Sequence, residues 1–269
     1  MTYNGVDGLG VHLDERGVLH LVLDRPARRN ALDDGMVAGL IDAVDEAGRD
    51  EAVRVILLSG TGDHFCAGFD IAGRNAPGGP KPRAGSIQRR LPSQAHRLIP
   101  LLLTVQTPVV CSVQGWAAGI GLHLVLAADL AVVADDARLW EPFGERGFTP
   151  DSGGTWLLPR RVGDVRARQM LLLGRTVDGR EAEAWGMVHR SVPSAELDSA
   201  VDEVVERLAT GATVALGLTK WLLHAGASTS LEQHLHDEAF ALELSSRTED
   251  FREGLAAFSE KRAPDFRGR

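Results

Sequence analysis

The hydrophobic pattern of the chain centres on two apolar runs that are joined by glycines. Residues 109–113 form a short apolar run after Pro108, which is typical of a buried strand. Residues 122–128 are apolar except for His123, and this run predicts a buried helix. The glycines between the runs would let a ligand approach the first turn of that helix, where unpaired N–H groups attract negative charge. The pattern therefore predicts a site for an anion, or for negative charge that develops during a reaction.

Two other kinds of site fit this stretch poorly. A dinucleotide-binding GxGxxG motif that begins at Gly119 would need a third glycine where Leu124 stands, and no acidic partner follows at the expected distance. A GxSxG nucleophile elbow needs a serine between its glycines, and this stretch has none. Close packing of a helix on a strand is the structural alternative.

A second strand-to-turn unit precedes the first one along the chain. Residues 53–59 are apolar and β-branched, and they predict a strand that ends in the turn residues 60–63. Residues 65–71 form a small-residue turn that leads into a predicted helix. Backbone N–H groups of the two units can converge on one oxygen, which would make an oxyanion hole from the backbone alone.

The rest of the chain predicts strands in its first part and helices in its last quarter. Two short strands flank the turn at residues 14–17, and Asp33 is a candidate cap for a helix that runs to about Gly48. Residues 73–93 are rich in glycine, proline and basic residues, and they are either a surface loop or a flap over the site. The remaining predictions are a helix at 91–103 kinked near Pro100, a strand at 129–133, a helix from Thr155, helices at 163–173 and 175–185, a strand at 186–190, and helices at 196–210, 212–225, 231–246 and 248–259.

Composition narrows the class of protein. The 269 residues, of which 44% are hydrophobic, support one large core with a small helical appendage. A net charge of −8 argues against general binding to nucleic acid or anionic membranes. No apolar run reaches the length of a membrane span, and the first residues do not resemble a signal segment, so we expect a soluble cytoplasmic protein. Cys66 and Cys111 lie in apolar runs and are predicted to be core residues.

Five motifs carry a resemblance to a known family. They are DRPARRNAL at 24–32, FCAGFDI at 65–71, QGWAAGIGLHL at 114–124, PDSGGTWLLPR at 150–160 and FSEKRAPDFRGR at 258–269. With these motifs the chain resembles the enoyl-CoA hydratase/isomerase superfamily, also called the crotonase family. The resemblance implies an α/β fold, with a spiral of strand-strand-helix units in residues 1–195 and a C-terminal all-helical trimerisation region in residues 196–269. It also implies an acyl-CoA substrate, no further cofactor, no metal, and homotrimers or hexamers.

The resemblance also assigns roles to residues. The two oxyanion donors would be the amides of Phe69 and Ile120, and Ile120 stands where the family usually has glycine, so its side chain should narrow the site. Arg29 and the Ala31 backbone would lie along the CoA nucleotide. Phe258 and Lys261 would contact that nucleotide, often across a subunit boundary. The other residues implied in CoA or substrate binding are Ala67, Gly68, Asp70, Ile71, Trp116, Gly119 and Phe143.

The catalytic positions depart from those of a hydratase. Hydratases of the family use two glutamates, and this chain has His123 and Phe143 at those positions. Addition of water needs a base for the water and an acid for the α-carbon, so the usual hydratase mechanism lacks its groups here. Asp151 instead matches the aspartate of the ring-epoxide isomerases and some Δ3,Δ2-enoyl-CoA isomerases. A single carboxylate suffices to move a proton during a double-bond shift, and an isomerase that uses Asp151 is therefore the favoured function.

Several alternatives stay open at the sequence level. Asp151 would serve equally as an N-cap, and also matches the nucleophile of aryl-CoA dehalogenases, for which His96 is only loosely placed. His123 is either a base that faces the thioester or a buried histidine bonded to a backbone carbonyl. Glu141 and Glu145 flank the missing glutamate, so a hydratase that uses them with His123 is the second hypothesis. A non-catalytic acyl-CoA-binding relative is the third.

Two further observations carry less weight. His234 and His236 are two residues apart on a predicted helix, so they do not share a face and do not predict a metal site. The aromatic residues near the motifs hint at a bulky or cyclic acyl group, although scattered aromatic residues are usually part of a core. They are Phe69, Trp116, Trp140, Phe143 and Phe148.

Overall fold

The computed structural model describes residues 3–74 and 83–269, and it shows two β-sheets surrounded by helices. The strands are β1 (Leu9–Leu13), β2 (Val18–Leu23), β3 (Val55–Gly60), β4 (Val109–Val113), β5 (Trp116–Ala118), β6 (Leu130–Ala134), β7 (Arg138–Trp140), β8 (Val177–Asp178) and β9 (Arg190–Val192). The larger sheet has the order β1-β2-β3-β4-β6-β9 and the smaller one has the order β5-β7-β8.

The central strands of the larger sheet run parallel and bring two turns to one edge. β1 and β2 pair antiparallel, whereas β2, β3, β4, β6 and β9 pair parallel to their neighbours. All five residues of β4 are buried, as expected for a strand covered on both faces. Because β3 and β4 are adjacent and parallel, the segments that follow Gly60 and Val113 leave the sheet side by side. Both predicted glycine turns therefore lie at the same edge.

Helices cover the sheets and form the last part of the chain. They are α1 (Asp34–Ala47), α2 (Ile71–Arg74), α3 (Ser86–Arg90), α4 (Ala95–Thr104), α5 (Ile120–Ala127), α6 (Gly154–Val162), α7 (Asp164–Leu173), α8 (Gly179–Ala184), α9 (Leu197–Ala209), α10 (Thr213–Gly226), α11 (Leu231–Ser245) and α12 (Glu249–Glu260). Asp33 caps α1 as predicted, because its side chain accepts a hydrogen bond from the Met36 amide.

The core surrounds α5, whose eight residues are all buried. This confirms the predicted buried helix, which has no polar face because every side of it packs against protein. Cys66 and Cys111 are free thiols in this core, as predicted, and burial raises the pKa of Cys66 to about 12. Within residues 3–74 and 83–269, no helix is both long and apolar enough to cross a membrane.

Several predicted boundaries were wrong. The expected helix at 91–103 begins with a 3-10 turn (Leu91–Ser93) and breaks at Gln94, whereas Pro100 lies inside α4 without ending it. The strand expected at 186–190 is β9, which begins only at Arg190. The predicted flap or loop at residues 73–93 lies partly outside the described residues, and its later part contains the unpredicted helix α3.

The helices after β9 carry many exposed apolar side chains. Leu223 on α10 is 76% exposed and Phe258 on α12 is 85% exposed. Others on α11 and α12 are Leu231, Leu235, Phe240, Leu242 and Leu255. The division of the chain at residue 195 stays a prediction.

Candidate active site

Backbone hydrogen bonds join the two glycine turns. The Cys66 amide donates to the Trp116 carbonyl at 2.8 Å, and the Ala118 amide donates to the Cys66 carbonyl at 2.9 Å. A Cβ on Gly121 would lie 2.5 Å from the Cys66 carbonyl oxygen, and a Cβ atom almost never comes that close to another heavy atom. Glycine at this position therefore allows the approach of the two turns.

Each predicted oxyanion donor follows a glycine with positive φ. Gly68 has φ of +107° before Phe69, and Gly119 has φ of +53° before Ile120, the first residue of α5. Leu32 and Phe69 form a parallel β-bridge. The Leu32 amide donates to the Gly68 carbonyl, and the Leu32 carbonyl accepts from the Asp70 amide. Because successive amides of an extended segment point to opposite sides, the Phe69 N–H points away from Leu32.

Ile120 contributes its amide at the positive end of the helix dipole. Among the described residues, no hydrogen-bond acceptor for the Ile120 amide is present, as expected at a first helical turn. Its side chain is 3% exposed and belongs to the core. The assignment of the Phe69 and Ile120 amides as two oxyanion donors stays a prediction.

A chain of four side chains, which we call the polar relay, lies beside these turns. His123 on α5 has Nε2 at 3.0 Å and 3.2 Å from the two carboxylate oxygens of Glu141. Its Nδ1 is 2.6 Å from the Ser152 Oγ, which in turn lies 3.2 Å from Oδ1 of Asp151. His123 and Glu141 are fully buried, and Ser152 is 1% exposed.

The polar relay corrects the expectation for His123. The histidine is buried, but its partners are the side chains of Glu141 and Ser152 rather than a backbone carbonyl. Sequence reasoning missed Ser152, although it stands directly after Asp151 in the PDSGG motif. A polar residue next to a candidate carboxylate was the available signal.

Asp151 is half-buried in the loop before α6. The cap of α6 is Gly153, with φ of +92° and no side-chain cap bond, so the expectation that Asp151 is the N-cap was wrong. Because Gly153 is the cap, Asp151 lies two residues before it and does not cap the helix. His96 Nε2 lies 2.9 Å from the Asp151 carbonyl oxygen and donates to it, which ties the loop to α4.

Phe143 stands where the resemblance places a second carboxylate. Its ring is 5% exposed and stacks on His123, with centroids 5.8 Å apart and planes at 9°. The Phe148 ring meets it edge-on at 5.4 Å. A Cβ on Gly119 would lie 3.5 Å from the end of the Phe143 ring, so this ring borders the turn that presents the Ile120 amide.

A mostly apolar cavity of about 400 Å³ adjoins the end of the polar relay. Ser152 lines it, and Asp151, which precedes Ser152 in the chain, is not among the lining residues. Two histidines, His96 from α4 and His224 from α10, add polar groups to its wall. The main apolar lining residues are Ile99, Pro100, Leu103, Trp156 and Leu157.

The loop predicted to lie along CoA forms a backbone hydrogen bond with the glycine turn that follows β3. Ala67 donates from its amide to the Arg29 carbonyl at 2.9 Å. The Ala31 carbonyl accepts from Arg25 Nη1 at 2.9 Å and its amide donates to Arg28, so both backbone groups of Ala31 already have partners.

Asp70 anchors the residues that follow this turn. It accepts from the Gly73 amide at 2.8 Å and from Arg25 Nη2 at 3.2 Å. The Gly73 N–H most of all, and Arg25 after it, lower the pKa of Asp70. Ile71, which begins α2, is 37% exposed.

Four predicted residues lie apart from the polar relay. The Glu145 carboxylate is exposed and lies against Gly174 after α7. Trp116 is stacked with Arg138 and tilted on Trp140, and it lines a polar groove with Asp63 and His64. Phe258 and Lys261 are exposed at the end of α12. In the part of the chain that the structure describes, no group of three or more His, Cys, Asp or Glu side chains could hold a metal ion.

Comparison with known proteins confirms the resemblance that the motifs predicted. The family profile described as enoyl-CoA hydratase/isomerase matches residues 14–269. The chain is 38% identical over 256 residues to the 1,2-epoxyphenylacetyl-CoA isomerase of Escherichia coli strain K12, which covers 95% of this chain and 97% of that protein. It is 36% identical over 253 residues to the Rhodobacter capsulatus protein named "Probable enoyl-CoA hydratase", covering 94% and 95%.

Solved structures agree with the fold. The crystal structure of enoyl-CoA hydratase from Mycobacterium smegmatis superposes with a TM-score of 0.89 at 30% identity, over 96% of this chain and 98% of that one. The predicted α/β class with C-terminal helices is therefore confirmed.

Proposed function

Because the chain belongs to the enoyl-CoA hydratase/isomerase family, we propose that it is an acyl-CoA isomerase in which Asp151 is the single proton-transferring base. The observation that carries this proposal is the placement of the carboxylates. Asp151 is half-buried and bonded to Ser152, which lines the cavity, whereas Glu141 is fully buried and Glu145 lies against Gly174. One carboxylate next to the cavity suits a reaction that moves one proton between two carbons.

The proposed mechanism uses the backbone donors and Asp151 in sequence. The thioester oxygen accepts hydrogen bonds from the Phe69 and Ile120 amides, which stabilise the negative charge of an enolate. Asp151 removes a proton from one carbon of a 3-enoyl-CoA, and the electron pair of that C–H bond moves toward the thioester. Asp151 then returns the proton to the carbon at the other end of the shifted double bond. No water or redox partner is consumed.

The hydratase alternative has less support from the side chains. Both ring nitrogens of His123 are occupied by Glu141 and Ser152, and neither His123 nor Glu141 is exposed. Phe143 places an apolar ring where a hydratase of this family has its second glutamate. Activation of water needs a base that can touch it, and the only carboxylate in the relay with solvent exposure is Asp151.

The cavity next to Asp151 suggests a compact cyclic or aromatic acyl group. Its wall is mostly apolar and includes the aromatic residue Trp156. His224 can donate to an oxygen on the acyl group, whereas the Nε2–H of His96 already binds the Asp151 carbonyl. The relative named 1,2-epoxyphenylacetyl-CoA isomerase has an acyl group of this kind in its name.

For the CoA part we retain the contacts implied by the family. Arg29, Ala31, Ala67, Gly68, Asp70, Ile71 and Gly119 are the proposed contacts near the two turns, and Trp116, Phe143, Phe258 and Lys261 complete the proposed set. The exposed apolar faces of α11 and α12 support self-association as homotrimers or hexamers, through which Phe258 and Lys261 would reach a neighbouring site.

An isotope experiment tests the reaction type. The purified protein is incubated with a 3-enoyl-CoA and with its 2-enoyl isomer in deuterated water, and the acyl mass is followed. A double-bond shift without a gain in the mass of heavy water is expected, and Asp151→Asn should lower kcat by about 10²- to 10⁴-fold. Asp136→Asn is the matched control, because Asp136 also accepts a serine hydroxyl bond but lies at another groove.

Other outcomes would replace the proposal. A gain in the mass of heavy water would identify a hydratase and direct attention to Glu141, Glu145 and His123. If Asp151→Asn kept full activity, Asp151 would not be the base. If no acyl-CoA in a panel of chain lengths and ring types changed, although the esters bound, the protein would be a binding relative.

A further inference from the structure

The polar relay joins residues from three separate segments into one line. His123 belongs to α5, Glu141 follows β7, and Ser152 with Asp151 precedes α6. All of its members except Asp151 are buried from solvent. A buried polar line of this length is stable only when each member has a partner, and here each one does. The proposed base is its one half-exposed end.

The direction of the hydrogen bonds follows from the chemistry of the exposed end. An ionised Asp151 can only accept, so the Ser152 hydroxyl donates to its Oδ1. The Ser152 oxygen then accepts at 2.6 Å from Nδ1 of His123, which must carry a hydrogen. Nε2 of the same ring faces both carboxylate oxygens of Glu141, at 3.0 Å and 3.2 Å. Donation therefore runs from His123 through Ser152 to Asp151, and Glu141 holds the opposite side of the ring.

Each member of the polar relay restricts the orientation of the next one. Glu141 and the stacked Phe143 ring fix the orientation of the His123 ring. His123 fixes the Ser152 hydroxyl, which would otherwise rotate freely. Ser152 holds Oδ1 of Asp151, which leaves Oδ2 as the oxygen that can transfer a proton.

We propose that the buried Glu141–His123 pair, acting through Ser152, is a positioning unit that fixes the Asp151 carboxylate for proton transfer. This inference rests on the proposed function, in which Asp151 is the base. A carboxylate that must remove and return a proton at two different carbons gains from a fixed orientation, because small misplacements of reacting groups lower rates steeply. Burial keeps water from competing for the hydrogen bonds of the relay.

The first test breaks the link between His123 and Asp151. Ser152→Ala should lower kcat by about 10- to 100-fold and change KM by less than about 2-fold, because the proposed oxyanion donors and the apolar wall of the cavity stay while the base loses its orientation. Ser152→Thr, which keeps a hydroxyl, should recover at least part of the lost kcat. Ser112→Ala is the matched control, since Ser112 is also a buried serine but lies in β4 away from the relay.

A second measurement is made on the wild-type protein, and a variant serves only to assign the signal. In protein labelled with ¹⁵N-histidine, the His123 resonances report which ring nitrogens carry hydrogen. We expect a protonated Nδ1 in the wild-type protein, and an unprotonated Nδ1 would reverse the direction of the Ser152 bond and overturn the proposal. The resonance is assigned by its loss in His123→Gln.

The outcomes separate this inference from the proposed function. If Asp151→Asn is inactive but Ser152→Ala keeps the wild-type kcat, Asp151 remains the base and the positioning unit is disproved. If Ser152→Ala lowers kcat and raises KM equally, or Ser152→Thr recovers nothing while folding normally, the hydroxyl has no positioning role. If Asp151→Asn is fully active, both proposals fail together, because there is then no base at Asp151 to position.

Discussion

The polar relay and the Lys220 cluster are two buried polar groups that differ in one respect. Lys220 on α10 donates to Asp129 Oδ2 at 2.7 Å, to the Leu102 carbonyl at 2.9 Å and to the Thr107 carbonyl at 3.2 Å. These three bonds use every hydrogen of its ammonium group, and only 7% of the side chain is exposed. Every donor of the Lys220 ammonium group is thus used within the cluster, whereas the polar relay includes Ser152, which lines a cavity, and ends at the half-buried Asp151.

The comparison teaches that burial and charge alone do not mark an active site. Burial lowers the pKa of Lys220, while the Asp129 carboxylate acts in the opposite direction. Such a perturbed lysine could be mistaken for a catalytic base. Its saturated hydrogen bonds instead indicate that it ties α10 to the segments around β4. What distinguishes the polar relay is its half-buried end at Asp151, which is bonded to a serine that lines a cavity.

Lys220→Met gives the largest expected effect, because it leaves Asp129 and two carbonyl groups without their partner. We expect the free energy of unfolding to fall by about 3–5 kcal/mol, measured by urea denaturation. The kcat of the protein that remains folded should stay unchanged, since Lys220 is proposed to be purely structural. Arg168→Met, which removes an exposed ion pair with Asp164, should change stability by less than about 1 kcal/mol. A large loss of kcat in folded Lys220→Met would remove the distinction between the two clusters.

Gly154→Ala disturbs the polar relay without replacing any of its members. A Cβ at this position would overlap His123 Nε2 and would lie 2.9 Å from a carboxylate oxygen of Glu141. We expect a loss of about 1–3 kcal/mol in unfolding free energy together with a lower kcat. Gly144→Ala is the control, because the nearest atom to its Cβ would be the Leu171 carbonyl oxygen at 3.6 Å.

Stability and kcat must be measured together for Gly154→Ala. Reduced stability with normal kcat per folded molecule would place the polar relay in the same structural class as the Lys220 cluster. Thermal denaturation and initial rates on the same samples measure both quantities.

Glu253 provides an exposed cluster for comparison and the smallest expected effect. The Arg262 guanidinium, followed by the Asp265 amide, lowers the pKa of Glu253 from its usual 4.5 to about 2. Because the folded-state pKa is lowered, the stabilisation is complete above pH 4.5 and is lost as the pH falls toward 2. The difference in melting temperature between the wild type and Glu253→Gln should therefore shrink over this range. Added salt should shrink it at neutral pH as well, since the pair is solvent-accessible.

Glu243→Gln serves as the control for Glu253. Glu243 on α11 pairs with Arg247, four residues later in the turn after that helix, and this pair holds no distant segment. A difference between Glu253→Gln and the wild type that persists unchanged down to pH 2 would contradict the lowered pKa.

Local patterns predicted the elements well and their polar contacts poorly. The apolar runs at β4 and α5 identified both elements because burial on all sides removes the polar residues that a surface requires. The two glycine turns were likewise visible, since a positive φ before each donor favours glycine.

The polar relay could not be derived in the same way. His123 contacts Glu141 and Ser152, which are 18 and 29 residues away, and no local periodicity reports such a pairing. The alternative that Asp151 caps a helix was wrong, because the glycines after it shift the cap to Gly153. Contacts made only in the tertiary fold decided the partners of His123, whereas adjacent glycines decided the position of the cap.

The length of the chain between the members of the polar relay has a consequence for folding. The relay can form only after α5, the segment after β7 and the entry of α6 have all reached their final positions. A collapsed state in which α5 is rotated would bury His123 and Glu141 without partners, which is energetically unfavourable. These hydrogen bonds therefore disfavour misregistered packings of α5, which is otherwise uniformly apolar. The contacts that orient the proposed base would also favour the native position of this helix.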